Sequence, residues 1–360
     1  MTDCLVIGGG LIGMLTAREL ARAGMRVKVV ERGATGRESS WAGGGILSPL
    51  YPWRYPDAVT ALAGWSQRIY PALAAELADE TGVDPEWTLN GLLMLDADEK
   101  TAAQVWAERA AMGLEVIDRD AVLACEPGLG EPPQEALWMP GIAQIRNPRL
   151  LRAVRLSLLS AGVEIQEGLD VTGFVVRDGQ IAGVETAGGK IPAGSVVVAA
   201  GAWSGRLLAG LGVELDVAPV RGQMIMFHAR PGVVSRIVLS RGRYLIPRRD
   251  GRVLAGSTVE YAGFDKSATA EALAQLHQAA VALAPALADY DIERHWAGLR
   301  PGSPEGVPFI GEHPRVRGLF VNAGHFRNGV VMGPASARLL ADIMQRQAPI
   351  ADPSLYALSD

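Results

Sequence analysis

The sequence predicts an α/β protein in which a discontinuous dinucleotide-binding domain is joined to a substrate domain built on a mainly antiparallel sheet with helices. Three observations carry that prediction. A strand, a glycine turn, a helix and a second strand open the chain. A fully buried strand ending in Ala199-Ala200-Gly201 returns much later, at the position where a parallel sheet meets a nucleotide. From Pro219 onward the pattern changes to short strands separated by tight turns, which is antiparallel in character.

The opening unit is the most informative. Leu5-Val6-Ile7 reads as a buried strand and runs into Gly8, Gly10 and Gly13 in G-x-G-x-x-G spacing. Gly8 permits a tight turn, Gly10 lets a pyrophosphate approach bare backbone, and Gly13 lets the next helix pack on the strand. That helix runs from Leu11 to Ala23, with Leu11 and Ile12 at the end that offers free N–H groups and a positive dipole to phosphate. Val27–Val30 reads as the second strand. Glu31 closes it roughly 20 residues past the glycines, where a carboxylate holds the ribose hydroxyls of an adenosine. An ordinary glycine-rich turn does not explain that acid.

Bulk properties narrow the class. With 360 residues the chain holds about two domains. Hydrophobic content of 49% and charged content of 20% suit a large core and exclude a disordered chain. A net charge of -5 argues against nucleic acid as a partner. Cys4 and Cys125 make neither a disulfide framework nor a metal cluster, and they suit a reducing compartment. No apolar run reaches the roughly 18 residues of a membrane helix. The glycine fingerprint begins almost at once, which leaves no room for a leader. The expectation is a soluble, cytoplasmic protein with no membrane partner and no metal.

Further elements follow in order. Arg37 to Ile46 is expected to be a small-residue loop that admits close approach of a flat ligand. Helices are expected at 58–81, 99–112 and 119–125, and a strand at 89–95. Asn147 is expected to cap a helix that Pro148 begins. Val171 to Arg177 and Gln180 to Thr186 flank the Asp178-Gly179 hairpin turn. Ser195 to Val198 is the returning strand. Strands at 222–227, 243–247 and 253–256 belong to the second domain, followed by a helix at 269–284. A buried strand at 319–322 and a helix at 330–345 rejoin the first. The expected division is 1–85, 145–218 and 297–360 for the dinucleotide, with 86–144 and 219–296 for the substrate.

Three pieces point to the substrate: Tyr244 in Tyr-Leu-Ile-Pro-Arg-Arg-Asp-Gly, Arg300 in Gly-Leu-Arg-Pro-Gly, and Arg327 in Gly-His-Phe-Arg-Asn-Gly. Gly298, Pro301 and Gly302 are expected to make the loop of Arg300 tight. A guanidinium held in this way suits a two-bonded grip on a carboxylate.

These motifs, with Ala42-Gly43-Gly44-Gly45-Ile46 and Pro308-Phe-Ile-Gly, resemble the D-amino-acid oxidase family of FAD-dependent flavoproteins. Within it, the chain looks like the glycine oxidases of the thiamine-pathway type, over nearly its whole length. The resemblance implies a Rossmann-like FAD-binding domain. D-amino-acid oxidases proper share Leu299-Arg300-Pro301 but differ before the final helix. Sarcosine oxidases commonly attach flavin through a cysteine in the carboxy-terminal region. Neither cysteine lies there in this chain, so the resemblance implies non-covalent FAD. It also implies that Arg300 pairs with the substrate carboxylate, helped by the Tyr244 hydroxyl, with Arg327 nearby. Gly44, Gly45 and Ile46 would lie against the isoalloxazine, Val171 near the adenine, and Ala200 and Gly201 near the pyrophosphate or ribityl chain. Arg32, Ser39, Ser40 and Trp203 complete the nucleotide side. His325, Phe326, Arg327, Asn328, Gly329 and Val330 would face the flavin's pyrimidine edge, and Arg300 counts toward the cofactor set as well.

The implied reaction is oxidative deamination of glycine and other small amines or D-amino acids. Hydride passes from the alpha carbon to flavin N5, the imine hydrolyses to a 2-oxo acid and ammonia, and oxygen yields hydrogen peroxide. This scheme needs no side-chain acid or base, so His325 and His228 are assigned structural roles. Charge near flavin N1 would be met by the N-terminus of the final helix. A dehydrogenase passing electrons to a quinone or carrier remains open, as does the preferred amine among glycine, sarcosine, D-alanine and D-proline. The fingerprint alone also allows an NAD-dependent dehydrogenase or a non-catalytic nucleotide-binding protein. By resemblance the oligomer would be a homotetramer.

Overall fold

The structure, a computed structural model, describes residues 2–358. Its first sheet is centred on Thr2–Ile7, which pairs in parallel with Val27–Val30 on one side and Gly189–Val198 on the other. Glu164–Gln166 and Leu319–Ala323 extend the parallel order outward, and Phe309–Glu312 closes one edge antiparallel. Alternate residues of the first strand enter different cores, Cys4 and Val6 on one face and Leu5 and Ile7 on the other. Both faces are buried, which is why the strand reads as an unbroken apolar run. Helices Leu11–Arg22, Asp57–Thr81, Asn147–Ser160 and Gly329–Gln345 cover one face, with Leu20, Leu62, Val154 and Leu340 in a common core. Burial of each such side chain contributes about 1.5–3 kcal/mol. The final helix therefore rejoins the first sheet.

The Asp178-Gly179 turn forms where expected, with φ of 51° and 70° at its two residues. Both lie in the left-handed region that a two-residue hairpin turn requires. Its strands, Val171–Arg177 and Gln180–Thr186, pair antiparallel. The second of them also pairs with the first half of Gly189–Val198. That strand begins before Ser195 because its two halves serve two different pairings.

The second sheet runs in the order Ile292–Gly302, Ala218–Phe227, Val253–Gly256, Arg243–Pro247, Ile237–Ser240, Leu92–Met94, Glu135–Met139, Glu115–Asp118. All its pairs are antiparallel except Ile237–Ser240 with Leu92–Met94. Met224, Tyr244, Ile246 and Leu254 share one face, and Ile225, Leu245, Val253 and Ala255 pack on the other with Leu276 of the helix Ala270–Leu283. Thr269 caps that helix through its side chain.

Five of these strands have no counterpart in the sequence expectation: Glu115–Asp118, Glu135–Met139, Ile237–Ser240, Ile292–Gly302 and Phe309–Glu312. Two of them form the edges of the second sheet. Edge strands tolerate charge and proline, so their composition hides them. The expected boundary at 297 falls inside Ile292–Gly302, which pairs along its length with Ala218–Phe227. Among the described residues no helix is long and apolar enough to cross a membrane.

Candidate active site

The glycine turn sits against the returning strand. Gly8 has φ 113°, and a Cβ there would lie 2.3 Å from the carbonyl oxygen of Ala199. A Cβ on Gly13 would lie 2.0 Å from the carbonyl oxygen of Gly8. These two glycines are required by the protein's own backbone. Gly10 differs: its φ is ordinary, and the nearest obstacle to a Cβ is the Ser40 hydroxyl at 3.3 Å. Ser40 Oγ also accepts from the Leu11 N–H at 3.0 Å. Glu31 braces the turn, taking the N–H of Gly9 and of Gly33, each at 2.8 Å.

A cavity of about 560 Å³ runs from this turn to the start of the final helix. Gly8, Gly10, Ile12, Glu31, Arg32, Ser39 and Ser40 line its first part. Val171, Ala200, Gly201 and Trp203 line its side, and His325, Phe326, Arg327, Gly329 and Val330 its far end with Arg300. Leu11 and Gly13 are not on this wall; the Leu11 side chain is buried in the core, and Gly13 packs on the turn. Arg32 lies over the Trp203 ring at 3.8 Å.

A smaller cavity of about 80 Å³ adjoins it, lined by Gly44, Gly45, Ile46, Met224, Tyr244 and Asn328. Arg300, Arg327 and Val330 line both cavities and so stand at their junction. Arg327 also borders an outer cavity of about 1020 Å³ with Arg54, Asp96 and Arg241. His228 lines none of the three.

Arg300 is not in a tight loop. It lies within the strand Ile292–Gly302, opposite Val220, so the ladder sets its direction. Gly298 is needed there because a Cβ would meet that of Ala42 at 2.5 Å. The guanidinium donates to the carbonyls of Thr258 at 3.0 Å and Arg221 at 3.4 Å, and to Ser257 Oγ at 2.8 Å. Burial lowers its pKa from the ordinary arginine value; the Tyr244 oxygen opposes this and the Arg327 charge adds to it. Among the described residues neither Arg300 nor Arg327 has a carboxylate partner. Two half-buried cations without an acid form a place for an anion.

The segment after Glu31 is not simply a loop, since Ser39–Ala42 forms one helical turn. Asn147 corrects another expectation. It lies inside the helix start and does not cap it. Its amide instead donates to the carbonyls of Ser40 at 2.8 Å and Gly43 at 3.0 Å. The next two carbonyls are held as well: Gly44 by Arg248 at 2.8 Å and Gly45 by the Ile145 N–H at 2.8 Å. Burial pushes the Arg248 guanidinium down to about 10. Asn147, Arg248, Ser257 and Thr258 escape a reading by sequence because each acts on a residue distant in the chain.

The wall fits a flavin dinucleotide on three counts. Bare backbone at Gly8 and Gly10 admits a pyrophosphate. The start of Gly329–Gln345 turns its unpaired N–H groups toward the junction. Asn322 Oδ1, His325 Nε2 and Asn328 Nδ2 are buried with no partner, on the walls of these two cavities. Burial pushes the His325 imidazole down to about 3, so it is neutral at ordinary pH.

A glycine turn feeding a helix N-terminus, an elongated nucleotide cavity and a cationic pocket at its end define a nucleotide-cofactor oxidoreductase. The chain belongs to the FAD dependent oxidoreductase (DAO) family, whose model matches residues 3–343. Its cofactor is FAD. It is 54% identical over 355 residues to the glycine oxidase of Pseudomonas aeruginosa, covering 98% of this chain and 97% of that one. Identity to the glycine oxidase of Pseudomonas putida is 51% over 354 residues, with 98% and 97% covered. The crystal structure of glycine oxidase from Geobacillus kaustophilus matches with a TM-score of 0.94 at 32% identity, covering 99% of this chain and 98% of that chain.

Proposed function

We propose that the protein oxidises glycine and other small amines or D-amino acids, with oxygen as final acceptor, giving hydrogen peroxide and an imine that hydrolyses to a 2-oxo acid and ammonia, or to the 2-oxo acid and the freed amine when the substrate is a secondary amine. The observation that carries this reading is Arg300, a half-buried guanidinium with no acid partner among the described residues, at the junction of the nucleotide cavity and the inner one. Bound FAD supplies the hydride acceptor and the route to oxygen. Everything else is asked of the protein.

Arg300 takes the substrate carboxylate through two parallel bonds, which fixes orientation as well as position. Tyr244, on the same inner wall, adds its hydroxyl. The two guanidinium charges disfavour an ammonium, so the amine is held neutral with its lone pair available. A neutral His325 lacks the acidic proton of an imidazolium and so does not serve as a general acid. The inner cavity of about 80 Å³ sets the size limit. A space of that size favours glycine and substrates a few carbons larger over bulky amino acids.

Gly8, Gly10 and Ile12 at the helix start would hold the pyrophosphate, Glu31 and Arg32 the ribose side, and Val171 the adenine. Ser39, Ser40, Ala200, Gly201 and Trp203 would enclose the middle. Residues 44–46 and 325–330 would frame the flavin, without a covalent bond, since neither Cys4 nor Cys125 lines these cavities. Segments 1–85, 145–218 and the chain after 302 then form the FAD domain, with 86–144 and 219–302 the substrate domain. Two free cysteines support a cytoplasmic location, and light scattering tests the homotetramer.

The deciding experiment is a panel of glycine, sarcosine, D-alanine, D-proline and bulky D-amino acids, assayed for peroxide. The small substrates should be active and the bulky ones poor. If none of them bleaches the flavin absorbance under anaerobic conditions, the proposal is wrong.

A further inference from the structure

The segment that follows Val253–Gly256 links the substrate arginine to a half-buried ion pair. Its first residues hold Arg300: Ser257 Oγ and the Thr258 carbonyl accept from the guanidinium at 2.8 and 3.0 Å. Its middle is fastened to the neighbouring strand, where Arg221 and Glu260 exchange backbone hydrogen bonds of 2.8 and 2.9 Å. Their side chains pair as well, with Arg221 Nε and Nη2 on Glu260 Oε2 at 2.9 and 2.5 Å. The other carboxylate oxygen accepts from Gln223 Nε2 at 2.9 Å and from the Thr258 hydroxyl. Thr258 is thus tied to Glu260 by its side chain and to Arg300 by its carbonyl. Further along, Lys266 pairs with Glu38 at 2.9 Å and Phe264 packs on Trp203, two residues of the nucleotide cavity wall.

We propose that Glu260 is a positioning residue for carboxylate recognition: it holds Ser257 and Thr258 where they aim the Arg300 guanidinium into the inner cavity. This inference rests on the proposed function. The chemistry of Glu260 makes it sensitive to a small change. All four side-chain bonds to its carboxylate come from donors. A glutamine offers one acceptor oxygen and one donor nitrogen. Glu260→Gln therefore sets its own N–H₂ against Arg221, or against Gln223 and Thr258, and one side must give way.

The test uses the FAD holoenzyme. The Kd of acetate, a carboxylate with no amine, is read from the shift of the flavin absorption band, beside KM and kcat for glycine. Glu260→Gln should raise the acetate Kd and the glycine KM together by roughly tenfold, with kcat within about twofold and FAD content unchanged. A general loss of packing would lower kcat or FAD content and leave the acetate Kd alone; that result, or no change, overturns the assignment. Should Glu260→Gln fail to fold, Asp265→Asn decides. Asp265 is 53% exposed and takes Arg221 Nη1 at 2.5 Å, so its loss loosens the same clamp from the surface. The expected rise in acetate Kd is about threefold, and an unchanged Kd rejects the role. An active parent with unaltered variants removes Glu260 and leaves the function standing. A parent that binds no acetate and oxidises no amino acid removes both.

Discussion

A Cβ on Gly222 would lie 2.2 Å from both terminal nitrogens of Arg300. The strand is bare at that point, and the guanidinium lies across it. Gly222→Ala should therefore push Arg300 aside while leaving the glycine turn and the rest of the nucleotide wall in place. Losing bonds to a charged group costs about 1.5–3 kcal/mol, or roughly 10- to 150-fold in kcat/KM. Steady-state kinetics with flavin content measured alongside checks it. Unchanged kcat/KM would mean that Arg300 has no part in binding.

Arg300 itself separates charge from geometry. Arg300→Lys keeps a cation but loses the planar fork, so orientation should suffer. Arg300→Ala loses both, on the order of 3–5 kcal/mol for a buried charge partner. Both proteins should purify yellow. Rapid anaerobic mixing with amino acid gives the reduction rate directly. If Arg300→Ala reduces its flavin as fast as the parent at equal substrate, the arginine is structural and the pocket binds something else.

Two glycines three residues apart should fail in different ways. A Cβ on Gly10 meets only the Ser40 hydroxyl at 3.3 Å, so Gly10→Val should fold but exclude the pyrophosphate. The corresponding atom on Gly13 would be 2.0 Å from the Gly8 carbonyl oxygen, so Gly13→Val should disrupt the fold itself. Circular dichroism and flavin content tell these apart. A Gly10→Val protein with a full complement of FAD would contradict the assignment of this turn.

His325 gives a pH dependence of defined sign. Burial holds its pKa at about 3 against an ordinary 6.5. Between those values the unfolded chain binds a proton that the folded protein refuses. Its contribution is fully present above 6.5 and is lost as pH falls toward 3. The slope from this one group is at most ~1.4 kcal/mol per pH unit. His325→Gln should flatten the fall in Tm of the holoenzyme over that range relative to the parent. Parallel profiles would show that the imidazole titrates normally.

Local chemistry made much of this molecule readable from residues alone. The first strand, the glycine turn, the helix after it and Glu31 lie in one short stretch, so their spacing is visible in the residue types. The Asp178-Gly179 hairpin is legible for the same reason, because its turn demands two left-handed residues in a row. The arginine motifs marked the substrate side through a family resemblance, without showing how Arg300 is held. Tertiary structure alone decided that. Its strand is polar and sits at a sheet edge, its anchors Ser257 and Thr258 come from another strand's end, and the space it occupies exists because Gly222 carries no side chain. Asn147 could cap a helix by its type, yet it holds the carbonyls of Ser40 and Gly43 because folding brings them within reach. Such relationships join residues tens to hundreds of positions apart, and pairing at that separation is set by the packing of two sheets, which no local pattern of residue types records.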